Sequence, residues 1–241
     1  MYALRTLFNT AIIGTSAILW LFLSGLVAGP FLWLFPGKSG KNVRKFVFIQ
    51  SKGILFCMRL CSSGWKEERA PRPQGPCIVA ANHASALDLY TVAALGFTNV
   101  VYITKGWVFK LPFFRPVMQA AGYMDAEKTS PKEMLARCKT AVENGCDIVL
   151  FPQGSRKNPQ ARFKSGAFYL AELLKLPVVP VAIGGTGKML PAGTIKLHPA
   201  KIVLKSLPAL MPGAFTGPLA HLEMAQTVKK QIMQKLEKET L

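Results

Sequence analysis

The chain is short of acid. Twelve Asp and Glu face 30 Lys and Arg in 241 residues, for a formal net charge of +18. That leaves little to attract a cationic partner and implies an anionic one: nucleic acid, anionic lipid or a phosphorylated substrate. Charge of either sign is scarce, at 17% of residues against 50% hydrophobic, which is apolar for a soluble domain and points to a membrane contact. Histidine is rarer still, with three in the chain, His83, His198 and His221. The five cysteines, at 57, 61, 77, 138 and 146, form no CxxC pair. Cys57 and Cys61 lie four apart in an apolar segment with no His at metal-ligand spacing, so all five read as reduced thiols of a cytosolic environment. The chain has no internal repeat and no long low-complexity segment.

The largest gap in charge decides which anion. Residues 6–37 carry no charged side chain, and 7–28 is long enough to cross a hydrocarbon core as a helix. Gly29-Pro30 is expected to break that helix, and the aromatic piece 31–35 suits an interface. The run is too long for the apolar core of a cleaved signal peptide, which ranks second. Lys38, Lys41, Arg44 and Lys45 follow it and outnumber the single Arg5 before it, which places the remainder on the cytoplasmic side of the inner (cell) membrane. A soluble nucleic-acid-binding protein would explain the positive charge but not this run, so no nucleic-acid partner is expected. Residues 42–64 mix Val43, Phe46, Ile54 and Met58 with Arg44, Lys45, Lys52 and Arg59, the pattern of an amphipathic helix at an anionic phospholipid surface. Together the two segments make a hairpin that either spans the bilayer or dips into one leaflet. The polar, proline-rich 66–76 stretch reads as a boundary. The expected domains are a membrane-anchoring hairpin over 1–65 and an α/β domain over 66–241.

Within the second part, short apolar runs alternate with helical patterns. Strands are expected at 77–81, 100–103, 122–125, 147–151, 177–183 and 201–205. Helices are expected at 89–96, 131–144, 166–176 and 222–236. The helix at 131 has every start signal, with Ser130 as N-cap, Pro131 at N1 and Glu133 at N3. Residues 105–121 are apolar with Lys105, Lys110 and Arg115 among aromatics, interrupted by Pro112 and Pro116, and read mostly as core. The alternation predicts an α/β fold with a mixed, mostly parallel sheet flanked by helices.

Two turns in this pattern carry chemistry. Asn82-His83-Ala84-Ser85-Ala86-Leu87-Asp88 joins the first buried strand to its helix. A His on a turn beside a carboxylate is a general base whose tautomer the carboxylate fixes. The same letters also read as a helix start, with Ser85 as N-cap and Asp88 completing a capping box. A metal hydrolase built on His83 and Asp88 fails for want of further ligands. The second turn, Pro152-Gln153-Gly154-Ser155-Arg156-Lys157, follows a strand's carboxyl end, where open α/β sheets bind ligands. Of its four nearby cations, Arg156 after the Gly-Ser turn is best suited to hold a phosphate. Lys157 and Arg162 read as a solvated basic face. Gly184-Gly185-Thr186-Gly187-Lys188 lacks the spacing of a phosphate loop and is not a nucleotide site.

These blocks resemble one family. The 82–88 turn matches the NHxSxxD block of the glycerolipid (PlsC-type) acyltransferases. Phe151-Pro152-Gln153-Gly154-Ser155-Arg156 resembles their FPEGTR block, and Val178-Val179-Pro180-Val181-Ala182-Ile183 their VPVAI block. Residues 122–125 are similar to the block between. The resemblance implies acyl transfer from acyl-CoA or acyl-carrier protein to a lysophospholipid hydroxyl, by default that of 1-acyl-sn-glycerol-3-phosphate, giving phosphatidic acid. It implies that His83 takes the hydroxyl proton and Asp88 orients it. It further implies that the turn of Gln153, Gly154, Ser155 and Arg156, with Lys105, binds substrate, and that no metal or redox cofactor is needed. The chain departs from the pattern twice: Gln153 stands for the usual Glu, and Ala126 for the usual Arg, with Lys128 a weak substitute. Another lyso-lipid acceptor, such as a lyso-ornithine lipid, therefore stays open, as does an inactive membrane lipid-binding protein.

Overall fold

The structure is a computed structural model and describes residues 2–34, 39–110, 114–156, 158 and 160–240. Short, mostly apolar strands are buried on both faces only where neighbouring strands and helices enclose them. Three such runs form the centre of the sheet: β2 (Ile78–Ala81), β5 (Asp147–Leu150) and β6 (Val178–Gly184). β2 lies between the other two and runs parallel to both. With β1 (Gly64–Glu68), β3 (Val100–Thr104), β4 (Met124–Asp125) and β7 (Lys201–Ser206), the strand order is β1-β7-β6-β2-β5-β3-β4. β7 pairs antiparallel to β6, and β1 pairs parallel to β7, so these two run against the other five. The sheet is mixed and mostly parallel, as expected.

The helices are α1 (Tyr2–Phe8), α2 (Thr15–Leu34), α3 (Ser39–Cys61), α4 (Asp88–Ala94), α5 (Phe114–Ala120), α6 (Pro131–Glu143), α7 (Gly166–Leu174), α8 (Thr186–Met189) and α9 (Ala220–Thr240). A π-helical segment, Asn9–Gly14, joins α1 to α2 without a break. α3 packs on α2, α4 and α5, α6 on β5, and α9 on β6 and α7. α6 starts as its caps dictate: Ser130 Oγ accepts the N–H of Glu133 at 3.3 Å.

Three expectations are corrected. Gly29-Pro30 does not end the first helix, which continues to Leu34. A proline removes one helical hydrogen bond, and in an apolar segment that loss does not outweigh the rest of the ladder. The stretch at 66–76 does not begin outside the domain, because Gly64–Glu68 is already a strand of the sheet. It went unrecognised because an edge strand carries charge, here Lys66, Glu67 and Glu68, rather than the apolar alternation of a buried one. The apolar stripe of α3 does not face lipid: Val43, Ile54, Leu55, Met58 and Cys61 are buried in the common core. Its outer face shows Lys45, Ile49, Lys52 and Phe56.

The first helix is fixed to the domain at its start and exposed along its length. Arg5 Nη2 donates to Ser62 O at 2.7 Å, Asn9 Nδ2 to Cys61 O at 3.2 Å, and Leu197 N–H to Thr10 Oγ1 at 2.9 Å. Leu7, Phe8, Ile18, Phe22, Leu23 and Leu26 are each at least half exposed. Among the described residues one helix is long and apolar enough to cross a membrane, Tyr2–Leu23. Trp20 packs directly on the Cα of Gly53, where any side chain would overlap the indole. The five cysteines are free. Lys38, Pro112 and Lys157, singled out in the sequence, lie outside the described residues.

Candidate active site

β2, β3, β4 and β5 are parallel, so their carboxyl ends share one edge of the sheet. That edge receives His83 after β2, Lys105 after β3, Ala126 after β4 and the 151–156 turn after β5. Topology alone therefore gathers the residues that the sequence singled out.

His83 is held from two sides. Its Nδ1 lies 2.8 Å from Oδ2 of Asp88, and its ring stacks on Phe151 with centroids 4.3 Å apart and planes at 23°. Asp88 is fully buried at the first position of α4. The same Oδ2 accepts the N–H groups of Ala84 at 2.7 Å and Ser85 at 2.9 Å. A carboxylate accepting at Nδ1 requires the proton there, which leaves Nε2 as the basic nitrogen. Nε2 has no partner among the described residues, and the imidazole side chain is 16% exposed. This arrangement can withdraw a proton from a hydroxyl placed at Nε2 and stabilise the resulting imidazolium through Asp88.

The helix-start reading of the same turn is half right. Asp88 does bond the Ser85 N–H, but Ser85 is not the N-cap. Its Oγ donates to Leu190 O at 2.8 Å and accepts the N–H of Leu87 at 3.3 Å. Ser85 thereby ties the turn to the segment after α8. Gly187 of α8 packs against Ala84, and a Cβ at that position would lie 3.0 Å from Ala84 Cβ. The Gly184-Gly185-Thr186-Gly187 run is explained by this close backbone approach.

Asn82 is a part of the site to which sequence reasoning gave no role. Its Nδ2 donates to Ile183 O at 2.8 Å and its Oδ1 accepts the Ile183 N–H at 2.7 Å. The amide so completes the pairing of β2 with β6 just where the chain turns into His83. No local signal marks this, since the partner is 101 residues away.

In the turn after β5, Gly154 has φ of +65°, and its N–H closes the turn on Phe151 O at 2.9 Å. Gln153 is 5% exposed and its Oε1 accepts the backbone N–H of His83. Lys164 packs on the Cα of Gly154. Arg156 is half-buried and has no hydrogen-bond or ion-pair partner among the described residues. Lys105 is exposed at the end of β3. Asp125 Oδ1 accepts the N–H groups of Glu127 at 2.8 Å and Lys128 at 3.3 Å, so the turn after β4 is ordered around a carboxylate with Ala126 inside it. Burial pushes the Cys138 thiol up to about 12, and burial with Asp147 raises that of Cys77, both away from a thiolate.

The fold and the site define an α/β protein with an HxxxxD turn at the carboxyl edge of a mostly parallel sheet. Residues 65–184 match the Acyltransferase family model. A chloroplastic 1-acyl-sn-glycerol-3-phosphate acyltransferase of Brassica napus is 34% identical over 132 residues, 53% of this chain and 38% of that protein. One from Arabidopsis thaliana is 29% identical over 201 residues, 79% of this chain and 54% of that protein. The chain thus spans about half or less of the length of these curated relatives. The crystal structure of the 1-acyl-sn-glycerophosphate acyltransferase PlsC of Thermotoga maritima superposes with a TM-score of 0.73 over 100% of this chain and 98% of that one, at 22% identity, and shares the fold. Over residues 65–184 the chain belongs to the Acyltransferase family.

Proposed function

We propose that this protein transfers a fatty acyl group from acyl-CoA or acyl-carrier protein to the free hydroxyl of a lysophospholipid, with 1-acyl-sn-glycerol-3-phosphate as acceptor and phosphatidic acid as product. The observation that carries the reading is the buried Asp88 aligned on Nδ1 of a His83 whose Nε2 is unpartnered. His83 Nε2 removes the acceptor hydroxyl proton as the oxygen attacks the thioester carbonyl. A C–O bond forms, the tetrahedral oxyanion collapses, and the C–S bond breaks. The imidazolium returns its proton to the leaving thiolate. The nucleophile belongs to the substrate, so the protein supplies no covalent intermediate and the scheme draws on no cofactor beyond the acyl donor. Backbone N–H groups of the turn after β5, other than that of Gly154, which closes the turn on Phe151 O, are the candidate donors to the oxyanion. Arg156, with Lys105 on the same edge, binds the acceptor phosphate.

The exposed apolar side of the first helix and the basic outer face of α3 support a membrane location at an anionic phospholipid surface. Because α3 is packed along its length on α4 and α5, the hairpin is read as dipping into one leaflet of the inner membrane from the cytoplasmic side. Such an anchor holds the edge of the sheet near an amphiphilic acceptor.

The test gives purified protein and its His83→Ala variant, in anionic vesicles, labelled acyl-CoA and separately acyl-carrier protein with a panel of lyso-acceptors. Transfer by the parent and its loss in the variant supports the reading. Transfer to a different lyso-lipid corrects the acceptor. Absence of transfer to every acceptor, with both proteins folded and lipid-bound, refutes the enzyme reading in favour of a lipid-binding protein.

A further inference from the structure

We infer that Gln153 is a positioning residue that fixes the backbone of His83 and, being uncharged, keeps a second negative charge away from the imidazole. The inference rests on the acyltransferase reading for its kinetic consequence, but its geometric part does not.

Gln153 stands at the centre of the best-fixed part of the site. Phe151, two residues before it, stacks on the imidazole, and the Gly154 N–H one residue after it closes the turn. Between them the Gln153 side chain is 5% exposed and accepts the His83 N–H. The turn after β5 thus grips His83 twice, through a ring and through an amide, while Asp88 grips it from α4. A side chain buried to this degree and bonded to the backbone of the base is badly placed to read a solvated head group. Arg156, three residues on and unpartnered among the described residues, is better placed.

A glutamate at 153 would accept the same N–H with the same reach. It would also place a carboxylate in a nearly water-free position on the backbone N–H of His83, whose imidazole already has Asp88 at 2.8 Å. Opposite charge within about 4–6 Å favours the ionised form of a group, and a protonated His83 is no base. Among the described residues, the other charged groups on the elements around His83 are Arg156, Arg162 and Lys164 from the segment after β5, Lys188 from α8 and Lys105 from the end of β3. Among the described residues Asp88 alone pairs with it. Glutamine keeps the hydrogen bond and omits the second negative charge.

The test compares the parent, Gln153→Ala and Gln153→Glu in two readouts. The first is kcat and acceptor KM across a lyso-lipid panel from pH 5 to 9. The second is the titration of the His83 ring by nitrogen-15 NMR in detergent, assigned by its loss in His83→Ala. Gln153→Ala is expected to lower kcat about tenfold or more, for loss of the acceptor on the His83 N–H, with acceptor KM and ranking unmoved. Gln153→Glu is expected to restore kcat at the optimum while moving both the acid limb and the ring titration up by about one pH unit. A reordered acceptor panel or a tenfold rise in KM at unchanged kcat would assign Gln153 to the head group and overturn the inference. An unmoved ring titration in Gln153→Glu would overturn its electrostatic half. A parent inactive on every acceptor refutes the enzyme reading instead, and the ring titration still decides the charge question.

Discussion

Asp88→Asn separates the orienting and the electrostatic work of the carboxylate. Oδ2 of Asp88 accepts three hydrogens, from His83 Nδ1, Ala84 N and Ser85 N, at 2.7–2.9 Å. An asparagine offers one oxygen and one NH2 group. Turned so that NH2 faces the three donors, it would replace three hydrogen bonds with three repulsive contacts. Turned the other way, its oxygen keeps all three bonds, and the NH2 falls where Oδ1 is buried without a partner among the described residues. The second placement wins. It leaves the proton on Nδ1 and Nε2 basic, so the tautomer is preserved. What is lost is the negative charge opposite the imidazolium in the transition state. A hydrogen bond to a charged group contributes about 1.5–3 kcal/mol, so kcat is expected to fall about 10- to 150-fold. Residual activity should stand clearly above that of His83→Ala. The buried, unpaired NH2 lowers stability by about 1–3 kcal/mol, which a thermal melt reads independently. The assay is initial-rate acyl transfer to 1-acyl-sn-glycerol-3-phosphate with thiol release as readout. A kcat within twofold of the parent, in a variant that melts as expected, would refute the role given to the charge.

Asn82→Ala strips the partner from both the N–H and the C=O of Ile183, two buried groups, and is expected to destabilise the fold by about 2–4 kcal/mol in denaturant titration. Asn82→Asp, which keeps the acceptor and loses the donor, should fall between it and the parent. Arg156→Ala should cut kcat/KM for a phosphate-bearing acceptor by about 10- to 100-fold through KM, with Arg156→Lys recovering part of the loss, because a lysine keeps the charge but not the bidentate fork. Glu239 is held at a pKa of about 2 by its hydrogen bonds to Lys205 and Lys66, and Lys205 likewise lowers Glu68. A depressed carboxylate stabilises the fold above its ordinary value of 4.5 and loses that contribution as pH falls toward 2. The melting temperature should therefore drop through that window, and Glu239→Gln should flatten the drop.

The elements legible in the sequence are those whose cause is local. The buried strands announce themselves as apolar runs, α6 by its cap, and the 82–88 turn because its spacing puts His83 and Asp88 on one turn. What stayed hidden depends on partners far along the chain. β1 gives no sign of itself until β7 pairs with it. The Gln153–His83 bond spans 70 residues, and without it Gln153 reads only as a departure from a pattern. Pro180 sits inside a central strand, against the rule that confines proline to edges. The sheet tolerates it because the β6–β7 pairing stops at Val181 and Ser206, so the missing N–H falls on the side that β7 is leaving. The Pro180 carbonyl still accepts from Leu207 N at 2.9 Å.

The glycine run at 184–187 serves close packing rather than ligand binding. Its letters invite a phosphate site, and its spacing denies one. Gly185 has φ of +84°, and the Lys201 carbonyl occupies the space a side chain would need. Gly187 presses on Ala84, next to His83. Both glycines let backbone approach backbone, so that α8, Ser85 and Leu190 brace the His83 turn from behind while β5 braces it from the side. The His83 turn is short, and its helix has only seven residues, too few to hold a geometry alone. Its rigidity is borrowed from β5, β6 and α8. Substitutions that loosen the base are therefore expected at Asn82, Gln153, Gly185 and Gly187, none of which touches the reacting atoms.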